Sequence, residues 1–215
     1  MTVKNKIDHI VIGANDLEQG IAFIKEKLDV ILPKASKHAD MSTHNCVAPT
    51  GNDSFIEILS VDPEAPTPPR ARWFDMDNPA VIDRFKQSPC AYHWVVGTTD
   101  LDAVIANSPT PLGEVVKFTR GDRSWRLTIP TDGSLQENGL IPTFIEWSPG
   151  AHPSSGMTDL GLELKEVVLT HPKPDWLQDI LLKLNVAHLA TVVAGEDKAI
   201  TFNISANNKT SIPIS

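Results

Sequence analysis

The chain has 215 residues, 41% hydrophobic and 21% charged, with 12 Gly, 17 Pro and 2 Cys, long enough to bury a sizeable core without metal or disulfide staples. Nineteen basic against twenty-seven acidic residues leave a net charge of −8, and no Lys/Arg cluster offsets it, which argues against a nucleic-acid surface. No apolar run reaches the ~18–20 residues of a membrane span, no apolar leader precedes Ile7, and Cys46 and Cys90 fit no CxxC pattern, so a reduced, cytoplasmic setting is expected.

In chain order, residues 7–13 are apolar and β-branched, a predicted strand. Asp16, with Gln19 three residues on, predicts a capped helix start, and Leu17, Ile21, Ile24 and Leu28 recur at helical spacing as far as Asp29. Extended segments follow at 32–35, 43–48 and 54–61, the last entered through a Gly51-Asn52-Asp53 turn. Pro63, Pro66, Pro68 and Pro69 then open a stretch that continues neither strand nor helix, with a turn or two of helix at 78–85. The order repeats from a strand at 92–97, through Asp100 and a short helix with Leu101, Val104 and Ile105, to extended segments at 114–119, 124–129 and 141–147. A shorter series ends the chain: a strand at 164–170, a helix capped by Asp175 with Trp176, Ile180 and Leu184 on one face, then strands at 191–194 and 199–204. The predicted class is α+β. A first βαβββ module spans 1–62, a Pro-rich excursion 63–89, a second βαβββ module 90–153, and a partial third βαββ module 154–215, which packs without adding to a site.

The duplication is visible residue by residue. His9-Ile10-Val11-Ile12-Gly13 leads to Asp16-Leu17-Glu18, and eighty-four positions on, His93-Trp94-Val95-Val96-Gly97 leads to Asp100-Leu101-Asp102. Phe55-Ile56-Glu57 and Phe144-Ile145-Glu146 follow the two copies in the same order. Side chains alternate along a strand, so Phe55, Glu57 and Leu59 share one face and Ile56 and Ile58 the other. A carboxylate in such an apolar setting needs a cation, donors or a metal. His9, Glu57, His93 and Glu146, delivered twice over, form a candidate site for a divalent ion (Zn, Ni, Co, Mn or Fe). Pairing of the Glu residues with Arg126 or Arg120 is the alternative.

At these residues, together with Thr43-His44-Asn45, Arg72-Trp73-Phe74, Trp125-Arg126-Leu127 and His152-Pro153, the chain resembles the vicinal oxygen chelate superfamily. That superfamily includes glyoxalase I, extradiol dioxygenases and bleomycin-resistance proteins, and the nearest branch is the glyoxalase-like domain. The resemblance implies paired βαβββ modules in a mixed sheet curled around a cup. It also implies metal ligands at His9, Glu57, His93 and Glu146, the first-strand His and last-strand Glu of each module. A Lewis-acid metal would stabilise an enediolate, with Glu57 or Glu146 as catalytic base. The function so implied is a metal-dependent lyase or isomerase for a small α-oxygenated metabolite. A non-catalytic sequestering protein and an extradiol-type dioxygenase are the alternatives. The expected partner is a small molecule, with a homodimer left open. His44 and Asn45 are candidates to orient a substrate, Arg126 to clamp an anion, and Arg72 and Trp73 to form a lid. Trp94 is expected under the helix and His152 in a loop.

Overall fold

In the computed structural model, which describes residues 5–51, 53–207 and 209–215, the two repeats fold alike. Residues 1–4 and Asn52, the middle of the expected turn, lie outside the described residues. The first unit is β1 (Lys6–Gly13), α1 (Leu17–Leu28), β2 (Lys34–His38), β3 (Thr43–Pro49) and β4 (Phe55–Val61). The excursion carries α2 (Pro79–Gln87), and the second unit is β5 (Cys90–Gly97), α3 (Leu101–Asn107), β6 (Glu114–Arg120), β7 (Arg123–Ile129) and β8 (Thr143–Trp147). Both expected caps are made. Asp16 accepts from the Gln19 N–H at 2.8 Å and Asp100 from the Ala103 N–H at 2.9 Å, each satisfying a helix-end donor worth about 1 kcal/mol.

These strands form one eight-stranded mixed sheet in the order β2-β3-β4-β1-β5-β8-β7-β6. In each unit the first strand runs parallel to the fourth, and β1 and β5 meet antiparallel at the centre. The sheet curls until its outermost strands approach: Arg120 on β6 donates to the Ser36 hydroxyl on β2 at 2.5 Å. Alternation then divides the side chains. Ile10, Ile12, Ile56, Ile58, Trp94, Val96 and Phe144 face the helices, as expected for Trp94, while Val11, Leu59, Val95, Leu127 and Ile145 face the inside of the curl.

Two β-bulges interrupt the central pair. Asp8 is passed over between Ile7 and His9, and Tyr92 between Ala91 and His93. They stand eighty-four positions apart, like the repeat itself. An extra residue re-aims its neighbours, so Asp8 joins His9, and Tyr92 joins His93, on the inner side.

The excursion does not hang free. Trp73 and Phe74 are buried in the inner cluster, where Trp73 packs on Phe118 with ring centroids 5.4 Å apart. The Tyr92 hydroxyl donates to Phe74 O at 2.5 Å. Phe74 and Asp75 both adopt left-handed backbone, φ 58° and 57°, which folds the chain back so that the Asp75 N–H reaches Gly133 O at 2.7 Å.

The last segment consists of β9 (Leu162–His171), α4 (Pro174–Lys183), β10 (Thr191–Ala194), β11 (Ala199–Ala206) and β12 (Ile212–Ile214). Its sheet order is β10-β9-β11-β12, with β9 parallel to β10 across α4. It packs over α1, β3 and β5 and shares their core through Leu169, Phe202 and Ile204. α4 starts two residues earlier than a cap at Asp175 would place it: Lys173 holds the cap position, Pro174 with its missing N–H takes the first helical position, and Asp175 falls in the first turn. Its buried face is Leu177, Ile180 and Leu181, while Trp176 lies half-exposed on His171. No helix among the described residues is long and apolar enough to cross a membrane.

Candidate functional site

Inside the curl, against the first unit, lies a cavity of about 80 Å³. Its polar wall is made by β1, β3 and β4. Val11 pairs with Glu57 across the β1–β4 ladder, so His9 and Glu57 come side by side, and His9 Nε2 stands 3.6 Å from Glu57 Oε2. Behind them, His9 Nδ1 is 2.7 Å from Asp8 Oδ1, a contact that exists because the bulge turns Asp8 inward. The same carboxylate accepts the Trp147 indole N–H at 2.8 Å and meets His152 Nε2 at 3.0 Å. Asn45 donates to Glu57 Oε1 at 2.7 Å and itself accepts from the Ser36 N–H and hydroxyl. His38 sits beside it, with Nδ1 3.0 Å from Thr43 Oγ1. Phe55 stacks on His9 at 4.6 Å, and Trp73, Phe74, Trp125 and Trp147 complete the walls, with Arg120 at the mouth.

The electrostatics follow from burial and partners. Burial alone would raise the Asp8 carboxyl, yet the hydrogen bonds from His152 and His9 hold it down at about 2. Asp8 is thus an anion that fixes the Nδ1–H tautomer of His9 and leaves Nε2 towards the cavity. Burial raises the Glu57 carboxyl, moderated by His9 and Asn45. Burial, then Arg120, pushes His38 down to about 3, so it is neutral.

The second unit is different. His93 Nδ1 meets Gly139 O at 3.0 Å, while its Nε2 accepts from the Thr143 hydroxyl at 2.9 Å and the Thr143 N–H at 3.3 Å. Both ring nitrogens are spent, and burial pushes the imidazole down to about 3. Glu146 lies on the helix-bearing face. It accepts from Arg126 Nε at 2.7 Å and from the Leu101 N–H at 3.4 Å, and Arg126 also binds Asp102.

The structure therefore brings two of the four expected ligands together and not the other two. Val95 pairs with Thr143 as Val11 pairs with Glu57, so the residue standing where Glu57 stands is Thr143. The Phe-Ile-Glu match is displaced by three positions, and an odd displacement along a strand turns every side chain to the other face. Of the remaining candidates, Asn45 and Trp73 line the cavity. His44 alternates to the outer face of β3, Arg126 is occupied outside as described, and Arg72 pairs with Asp77 at 2.5 Å. Asp8, His38, Arg120 and His152 belong to the site or its support and were not among the candidates. The bulge that recruits Asp8 has no sequence signature, and His38, Arg120 and His152 arrive from separate elements.

Residues 7–184 match the family model described as a glyoxalase-like domain. The chain belongs to that family. It thereby falls in the vicinal oxygen chelate superfamily that the repeat resembles, with the paired βαβββ units described above. A hypothetical protein from Staphylococcus aureus shares the fold at 17% identity, covering 97% of this chain and 88% of its own, with a TM-score of 0.59. Methylmalonyl-CoA epimerase from Mycobacterium tuberculosis aligns at 16% identity over 67% of this chain and 88% of its own, TM-score 0.41. A Streptomyces coelicolor methylmalonyl-CoA epimerase in complex with 2-nitronate-propionyl-CoA aligns at 19% over 68% and 96%, TM-score 0.41. No curated protein matches in sequence. The divalent metal that the superfamily implies does not fit the four-residue set here. The second imidazole has no free nitrogen, the second carboxylate is on the far face, and among the described residues no three His, Cys, Asp or Glu side chains form a group that could hold an ion.

Proposed function

We propose that this glyoxalase-like protein is an isomerase or lyase that moves a proton on a small oxygenated molecule held in the first-unit cavity. The buried series Asp8–His9–Glu57 supports this reading. Asp8 holds the His9 Nδ1–H, so Nε2 is the acceptor for a proton on carbon beside a carbonyl. Glu57, inclined by burial to keep its proton, is the neighbouring donor. Two adjacent titratable groups with environments that differ in this way divide the acid and base roles. Enclosure keeps water from competing for the proton. The aromatic walls alone would also support binding without turnover, and one experiment separates the two readings.

A panel of small α-hydroxy and α-keto aldehydes, ketones and acids, incubated with the protein in D2O, is followed by proton NMR. The wild type should exchange or isomerise the α-proton of at least one member, and His9→Gln should slow that reaction by about 100-fold or more with an unchanged thermal midpoint. Binding without exchange in the wild type, an undiminished rate in His9→Gln, or no member handled at all would each overturn the proposal.

A further inference from the structure

Two donors at the cavity are not fully matched by protein acceptors: one is a guanidinium with no paired carboxylate, the other a buried indole N–H with no partner. Arg120 is the cation at its mouth, and among the described residues no carboxylate lies within 4 Å of it. It touches the Ser36 hydroxyl and the face of Trp125, 5.7 Å away. Trp73, 4% exposed, lines the same cavity, and its indole N–H is buried with no partner. A buried donor left unmatched costs free energy that a ligand acceptor would recover. A guanidinium presents its N–H groups in a fork that suits two oxygens of one carboxylate. His9 and Glu57 line the same cavity. A cavity of about 150 Å³ takes benzene, so one of about 80 Å³ takes roughly three to six non-hydrogen atoms.

We infer that the ligand is a small monocarboxylate carrying a second oxygen on its α-carbon, seated with its carboxylate on Arg120 and the Trp73 N–H and, where it has one, its exchangeable C–H towards His9. For its chemistry this rests on the proton-transfer reading of the same cavity, but its recognition half is separately measurable. Two expected roles move with it: the anion clamp is Arg120 rather than Arg126, and Trp73 serves as a donor rather than a lid.

The test is ligand-observed NMR and tryptophan fluorescence with glyoxylate, pyruvate, glycolate and lactate, each against its primary amide. Carboxylates should bind at least tenfold more tightly than the amides. Arg120→Gln should erase that preference, and Trp73→Phe, which keeps the ring and removes the N–H, should weaken the carboxylates by about three- to tenfold. Arg126→Gln, on the outer face of the sheet, should leave their affinity within about twofold. Equal binding of acids and amides, no binding of either, or carboxylate affinity unmoved in both Arg120→Gln and Trp73→Phe would overturn the inference. If carboxylates bind through Arg120 but undergo no exchange, the recognition stands and the proton-transfer reading falls. Exchange confined to neutral carbonyl compounds gives the reverse result.

Discussion

His9 and His93 occupy the same position of the same repeated strand, each preceded by a bulged residue, yet one borders a cavity and the other is sealed. The difference lies in what the neighbouring positions supply. At the bulge the first unit has Asp8 and the second Tyr92, and on the fourth strand the first has Glu57 and the second Thr143. Carboxyl partners leave His9 Nε2 available, whereas a hydroxyl, a backbone N–H and a carbonyl consume both nitrogens of His93. Duplication fixes where a side chain sits. Its immediate contacts decide whether it can do chemistry.

The largest effect expected from this contrast is on stability. His93→Ala empties a fully buried ring site and strands Gly139 O and the Thr143 hydroxyl, and it should cost about 3 kcal/mol or more in urea unfolding, while His9→Gln costs far less. Comparable losses would break the distinction between a structural and an available imidazole.

Acid should sharpen the same contrast. The folded His93 holds its pKa at about 3 against 6.5 for the ordinary group. The unfolded chain therefore takes up the proton first, and stability falls as pH drops below about 6.5, by about 2 kcal/mol at pH 5 from this residue alone. Asp8, depressed from 3.8 to about 2, contributes stability that is whole above about pH 4 and is lost between there and about pH 2. Glu57, raised by burial, works the other way, since its contribution is lost as pH rises through its folded value. Urea midpoints measured from pH 8 to pH 4 should show the loss beginning near 6.5, and His93→Gln should make that limb shallower without abolishing it, because His38, also pushed down to about 3, titrates the same way.

The smallest effects carry opposite signs. Glu57→Gln keeps an acceptor for Asn45 and removes a carboxyl whose ionisation burial opposes, so at pH 7.5 it should raise stability slightly, by no more than about 1 kcal/mol. Glu146→Gln weakens a partly exposed pair with Arg126 and should lower stability by less than about 1 kcal/mol, without touching ligand binding. Equal effects of the two on ligand binding would contradict their placement on opposite faces.

Much of this architecture was legible in the residues. The His-x-Val-x-Gly match at eighty-four positions locates both first strands, Asp16 and Asp100 announce both helices, and alternation around Glu57 correctly puts Phe55 and Leu59 on its side. Phe-Ile-Glu is a matching string in a non-matching register, and only the pairing of β5 with β8 reveals the three-residue slip that puts Thr143 where Glu57 stands. β12 was missed because three residues, one of them proline, carry too little pattern. Asp8 gives no signal of its own, because a bulge leaves no mark in the sequence.

The excursion between the repeats has a consequence for how this protein can be divided. Trp73 and Phe74 are interior residues of a body to which their own covalent position, between two homologous halves, would not assign them. Neither half expressed alone would own a finished interior, and a protease cut near the prolines would free the pieces of the backbone without freeing them of each other. Recombination that exchanges one half for a relative's must therefore carry the connecting segment along with the surface it was shaped to fill.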